Sequence, residues 1–242
     1  MNTPKLLSGW SLIFLHLLPG FLLLVGFLIL APSFHRAGIP VLFAVILVVL
    51  FLVIPFEWGF LLWQGKQSKG RLTLKGVIAY LEPVPTWQYF VFIPGLIVWS
   101  LLAAGALMLL FEDSLRLAIL NYVPVWMDVI SMEGVSSFAL WVLFLARLII
   151  LGIIAPLTEE LYFRGYLLPR MERLKSYSPL VHSVLFSLQH FLEPYAFISR
   201  LMAFLPVAYL VQRKRNILVS IFYHVLLNLL SAFSMLPIVL QQ

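Results

Sequence analysis

Long apolar runs alternate with short polar connections along the whole chain. Seven runs stand out, at roughly 10–31, 39–63, 88–111, 138–168, 178–192, 196–212 and 216–236. Most approach or exceed the ~20 residues a helix needs to cross a bilayer. None reads as a ~10-residue segment of strict apolar–polar alternation, the pattern of a membrane barrel strand. The pattern predicts an all-α fold, a polytopic transmembrane helical bundle of seven spans. The count becomes eight if the long fourth run is two pieces, with Pro156 at the kink. The fifth run is short and ends at Pro194. The run from Trp10 to Ala31 is longer than a signal-peptide core and no small-residue cleavage site follows it, so it is expected to be a retained first span. No internal repeat, low-complexity linker or second domain is visible, and residues 1–242 are expected to form a single membrane domain.

Charge orients this array. Lys66, Lys69, Arg71 and Lys75 make one basic connection, Arg170, Arg173 and Lys175 a second, and Arg213, Lys214 and Arg215 a third. The connection after the third run is acidic, with Glu112, Asp113, Asp128 and Glu133 against Arg116. The positive-inside rule places the basic connections in the cytoplasm. Alternation then puts the N-terminus, with Lys5, in the cytoplasm and the C-terminus outside; Arg36, in a short outer connection, runs against the rule.

Composition agrees with the pattern. Hydrophobic residues make up 62% of the chain and charged ones 11%, against roughly half and a quarter in soluble domains. The absence of cysteine excludes disulfides, thiolate catalysis and thiolate-bound metal. The formal charge of +6 is spread over membrane-flanking connections, so it points to the lipid bilayer and not to nucleic acid.

Against this background a few polar groups carry the chemistry. Glu159, Glu160 and Arg164 lie in the fourth run, Phe186 and His190 in the fifth, His224 and Asn228 in the last. Ionisable groups at membrane depth are costly and mark functional sites. Counting inward from the basic edges at ~1.5 Å per residue puts Glu159 about 16 Å deep, His190 about 18 Å and His224 about 14 Å. Three groups from three spans therefore share one level in the inner half of the membrane. Glu160 and Arg164 stand at i, i+4 and can pair, as can His224 and Asn228. Glu159 points about 100° away and is free for another partner, and Phe186 lies one turn before His190. A carboxylate can act as a general base, and imidazole and carboxamide groups can act as hydrogen-bond donors to a developing anion. Geometry alone permits either glutamate as the base.

Other readings of the same residues stay open. Glu160 and Arg164 form a structural ion pair in one of them, and Asn228 only ties helices together. Glu159, His190 and His224 also make up a carboxylate and two imidazoles, a known catalytic zinc set, although no His-Glu-x-x-His motif is present. Glu57 falls near the same depth, either supporting Arg164 or solvated at the interface. Arg147 reads as a snorkelling or helix-pairing residue. His16, His35 and His182 read as interfacial or packing residues.

Glu159, Glu160 and Arg164, then Phe186 with His190, then His224 with Asn228, in this order on apolar helices, resemble the type II CAAX prenyl endopeptidase family. This is also the CPBP or ABI family of intramembrane glutamic proteases. The similarity extends to Phe163, Gly165 and Tyr166 and covers residues 138–236, expected as the catalytic core. The resemblance implies an endopeptidase that works without metal or cofactor on a membrane-embedded or lipidated peptide or protein. It implies Glu159 as general base, His190 positioning the water, His224 and Asn228 holding the oxyanion, and Glu160 with Arg164 as supporting pair. The short chain is similar to prokaryotic members, so a prokaryotic cell membrane is expected, with the site opening to the cytoplasmic half of the bilayer. Two other functions remain alternatives: a non-catalytic scaffold or bacteriocin-immunity protein, and a proton-coupled carrier.

Overall fold

The computed structural model describes residues 6–132 and 135–241; Lys5 and Glu133 lie outside them. It is predominantly helical, and among the described residues six helical runs are long and apolar enough to cross a membrane. They are α1 (Gly9–Arg36), α2 (Leu42–Lys69), α3 (Thr86–Leu120), a 52-residue run Ser137–Leu188, α6 (Pro194–Lys214) and α7 (Leu218–Leu240). The fourth run holds two of the seven expected spans, α4 (137–167) and α5 (Ser178–Leu188). Between them a 3₁₀ stretch, Leu168–Tyr177, contains Lys175 at φ 50° and ψ −123°, which breaks the helix. α3 also runs further than expected. Its helix continues through Glu112 and Asp113 to Leu120, so the acidic connection starts later than its charges suggest.

Helix starts follow local chemistry. Ser8 caps α1 by accepting from Ser11 N at 3.2 Å, and Ser136 caps α4 by accepting from Ala139 N at 3.3 Å. Gly70, at φ 71°, ends α2 in the left-handed conformation a helix stop favours. Pro156 marks a change of hydrogen-bond register instead of a break. Wide π turns occupy Arg147–Ile154 and Glu160–Leu167, with α-helix only over Ala155–Glu159. A proline cannot donate to the ladder and its ring crowds the carbonyl four residues back, and the wider turn relieves both. Such turns recur at functional sites.

The three basic connections gather at one end of the bundle, as the alternation requires. The segment between α2 and α3 is folded down onto that end. Ala79 N donates to Gly165 O, Ile217 N to Tyr80 O and Glu82 N to Arg215 O. Arg170 reaches across to Val77 O at 3.2 Å while its guanidinium lies over the Tyr166 ring. Val77, Ile78 and Tyr80 are buried there, in the same cluster as Tyr162, Phe163 and Leu167 of α4. At the other end, Trp126 packs on Phe27 and Arg116 pairs with Asp128 at 2.9 Å.

α1 touches the site-bearing half through Gly20. A β-carbon at Gly20 would collide with the backbone carbonyl of Gln189, next to His190. Gly20→Ala is therefore expected to cost about 1–3 kcal/mol, read as a lower melting temperature of the purified protein. An unchanged melting temperature would show that α1 does not press on this turn.

Candidate functional site

α4, α5 and α7 bring the polar groups together as the depth estimate requires. Arg164 and Glu160 are both fully buried and form an ion pair through Arg164 Nη1 and Glu160 Oε1. The same Glu160 oxygen accepts from His224 Nδ1 at 2.8 Å. One carboxylate thus joins α4 to α7, a bond between helices that i, i+4 spacing does not reveal. The Arg164 guanidinium is sandwiched, 4.4 Å from the Phe186 ring centroid and 4.9 Å from that of Phe204. Phe186 in turn stands edge-on to His190 at 5.2 Å. Its place beside His190 is the one its spacing predicts.

Glu159, His190, His224 and Asn228 all line one cavity of about 340 Å³. Glu159 is half-buried, and none of the described residues makes a hydrogen bond to it. His190 Nδ1 donates to Phe186 O at 2.9 Å. A carbonyl only accepts, so the neutral ring keeps its lone pair on Nε2. His224 is held in the same tautomer, because Glu160 Oε1 already accepts from Arg164 and so accepts from Nδ1 as well. Both imidazoles therefore leave Nε2 as an acceptor, and His224 donates a hydrogen bond from that side only once Nε2 is protonated. Asn228 commits one amide N–H to Leu151 O at 2.9 Å, leaving a second N–H. Among the described residues no three His, Asp or Glu side chains converge as metal ligands, so the zinc set of two imidazoles and a carboxylate does not fit as the residues stand.

Two expectations from sequence are corrected. The cavity wall contains no residue of the basic end and continues through Arg147, Arg200 and Ser231 to Val129, Ile130 and Glu193 at the opposite end. The packed 70–85 segment accounts for this, since it covers the basic end of α4. Glu57 neither pairs with Arg164 nor meets solvent. It is 1% exposed, and both its oxygens lack partners among the described residues. Of the two roles expected for Arg147, helix pairing is the one found: it lines the cavity and donates to Ser231 Oγ of α7 at 3.0 Å. Sequence reading also passed over Arg200, which pairs with Glu193 at 2.7 Å in the same wall; an arginine one turn into an apolar span was the available signal. His16 and His182 are packing residues, buried against each other at 3.1 Å.

Fold and site together define an integral membrane protein of helical bundle type, with a cavity among its helices into which charged and polar side chains converge. Residues 141–230 match the sequence model of the family described as Rce1-like, type II CAAX prenyl endopeptidase. That stretch contains all seven of Glu159, Glu160, Arg164, Phe186, His190, His224 and Asn228, and by its description the family is one of endopeptidases. No curated protein and no solved structure matches the chain.

Proposed function

We propose that the protein is an intramembrane endopeptidase that hydrolyses a peptide bond of a membrane-associated or lipidated substrate. The observation that carries this reading is the convergence of Glu159, His190, His224 and Asn228 on one cavity. Residues 138–236 form its catalytic core, and the basic end faces the cytoplasm of a prokaryotic cell.

In this reading water sits between two acceptors, the Glu159 carboxylate and His190 Nε2. Glu159 takes a proton from it, and the oxygen attacks the scissile carbonyl carbon. The free N–H of Asn228 donates to the oxyanion, joined by His224 when its Nε2 is protonated. Glu160 holds His224 in one orientation and balances the imidazolium, as the carboxylate of a catalytic triad does. Arg164 keeps Glu160 in place. The proton on Glu159 passes to the amide nitrogen, the C–N bond breaks, and a carboxylate and an amine leave. No metal or cofactor enters these steps.

The test is incubation of the purified full-length protein with a library of membrane peptides in ¹⁸O-labelled water. Products are expected to carry one ¹⁸O at a new carboxyl terminus, at a rate unchanged by a strong chelator. Absence of any new terminus would favour the scaffold or carrier alternatives. Loss of cleavage with chelator and its return with zinc would favour a metalloprotease built from the same residues.

A further inference from the structure

The cavity reaches well beyond the groups that hydrolysis uses. Its far wall holds two guanidinium groups, Arg147 from α4 and Arg200 from α6, with Ser231 from α7 and Glu193 from the α5–α6 connection. Both arginines are half-buried in this wall, and their pairing is incomplete. Arg200 spends Nη2 on Glu193 Oε2 at 2.7 Å, while its Nη1 is buried without a hydrogen-bond partner among the described residues. Arg147 has only the Ser231 hydroxyl, at 3.0 Å, and no carboxylate within ion-pair distance among the described residues. Neither arginine belongs to the Glu159, Glu160 and His224 constellation.

Resting on the endopeptidase reading, we propose that Arg147 and Arg200 form a subsite for a carboxylate of the substrate peptide. A planar monoanion suits the guanidinium fork, and Glu193 already shows a carboxylate engaged there. A dianionic phosphate would meet the carboxylates of Glu193 and Glu159 in the same cavity. The remaining wall, with Leu23, Leu42, Val45 and Val49, is apolar and suits the flanking side chains of a membrane peptide. The substrate is thus held by its charge at one end of the cavity while the bond to be cut lies against Glu159. The carboxylate is either the C-terminal group or an acidic side chain.

The experiment reads binding without turnover, so its failure is distinguishable from failure of the peptidase reading. Immobilised full-length Glu159→Gln protein is offered three pools of apolar hexapeptides: free acids, the same sequences as C-terminal amides, and amides carrying one internal glutamate. Retained peptides are counted by mass spectrometry. At least one carboxylate-bearing pool is expected to be retained about tenfold over the plain amides, the value of one charge-assisted hydrogen bond. An excess of free acids assigns the subsite to the C-terminus, and an excess of the glutamate pool assigns it to a side chain. Adding Arg147→Gln or Arg200→Gln is expected to erase the excess and leave amide retention unchanged. Arg200→Lys, which keeps the charge, is expected to preserve part of it. Equal retention of all three pools, or an excess that survives both glutamine substitutions, would overturn the proposal.

Discussion

Glu159→Gln is expected to abolish peptide cleavage, lowering the rate by about 10²–10⁴, while the protein folds as before. The two halves of this expectation have separate causes. Glu159 faces the cavity half-buried and receives no hydrogen bond from the described residues, so a neutral amide of the same shape leaves the packing intact. Its backbone is fixed by neighbours, since Thr158 bonds Ile154 O at 2.8 Å and accepts from Trp58 Nε1 at 3.1 Å. Chemistry has no such reserve, because the amide cannot take a proton from water. Melting temperatures of variant and parent should coincide. A variant that unfolds would make Glu159 a structural group, and one that still cuts would move the base elsewhere.

Glu160→Ala is expected to do the opposite damage. Glu160 and Arg164 are both fully buried, and Glu160 is the carboxylate that ties Arg164 and His224 together. Removing it strands a guanidinium between the Phe186 and Phe204 rings, where Nε and Nη2 already lack partners among the described residues. Breaking a buried pair from one side costs about 3–5 kcal/mol. A loss of that size lowers the melting temperature by roughly 10 °C in a chain of this length. It also frees the His224 ring, so activity falls with stability. A variant as stable as the parent would mean that Arg164 is neutralised by another group.

The contrast between the adjacent glutamates separates what the sequence makes legible from what it hides. Burial of charge in an apolar run is readable from composition and span length, which is why the bundle and the residues around Glu159, His190 and His224 emerge directly. The i, i+4 rule finds the Glu160–Arg164 pair, because that contact is local. It is silent on Glu160–His224, Arg200–Glu193 and Arg147–Ser231. The first and third join different helices, and the second bridges a turn, so all three depend on packing or loop geometry. The folded 70–85 segment was hidden for a related reason. Its bonds to Gly165 and Arg170 run from backbone groups, which carry no residue signature, and its Glu82–Arg215 ion pair at 3.0 Å joins residues far apart in sequence. Without that segment in view, a site near the basic end appears to open there. Glu57 was misread because depth counting gives a level in the membrane but not a direction around the helix.

The most direct measurement is the rate of library cleavage by the purified protein beside Glu159→Gln, His190→Ala and His224→Ala, with each melting temperature recorded and a chelator present throughout. The endopeptidase account predicts cleavage by the parent in chelator and its loss in all three variants, with Glu159→Gln melting like the parent. Cleavage that persists in well-folded Glu159→Gln would contradict it.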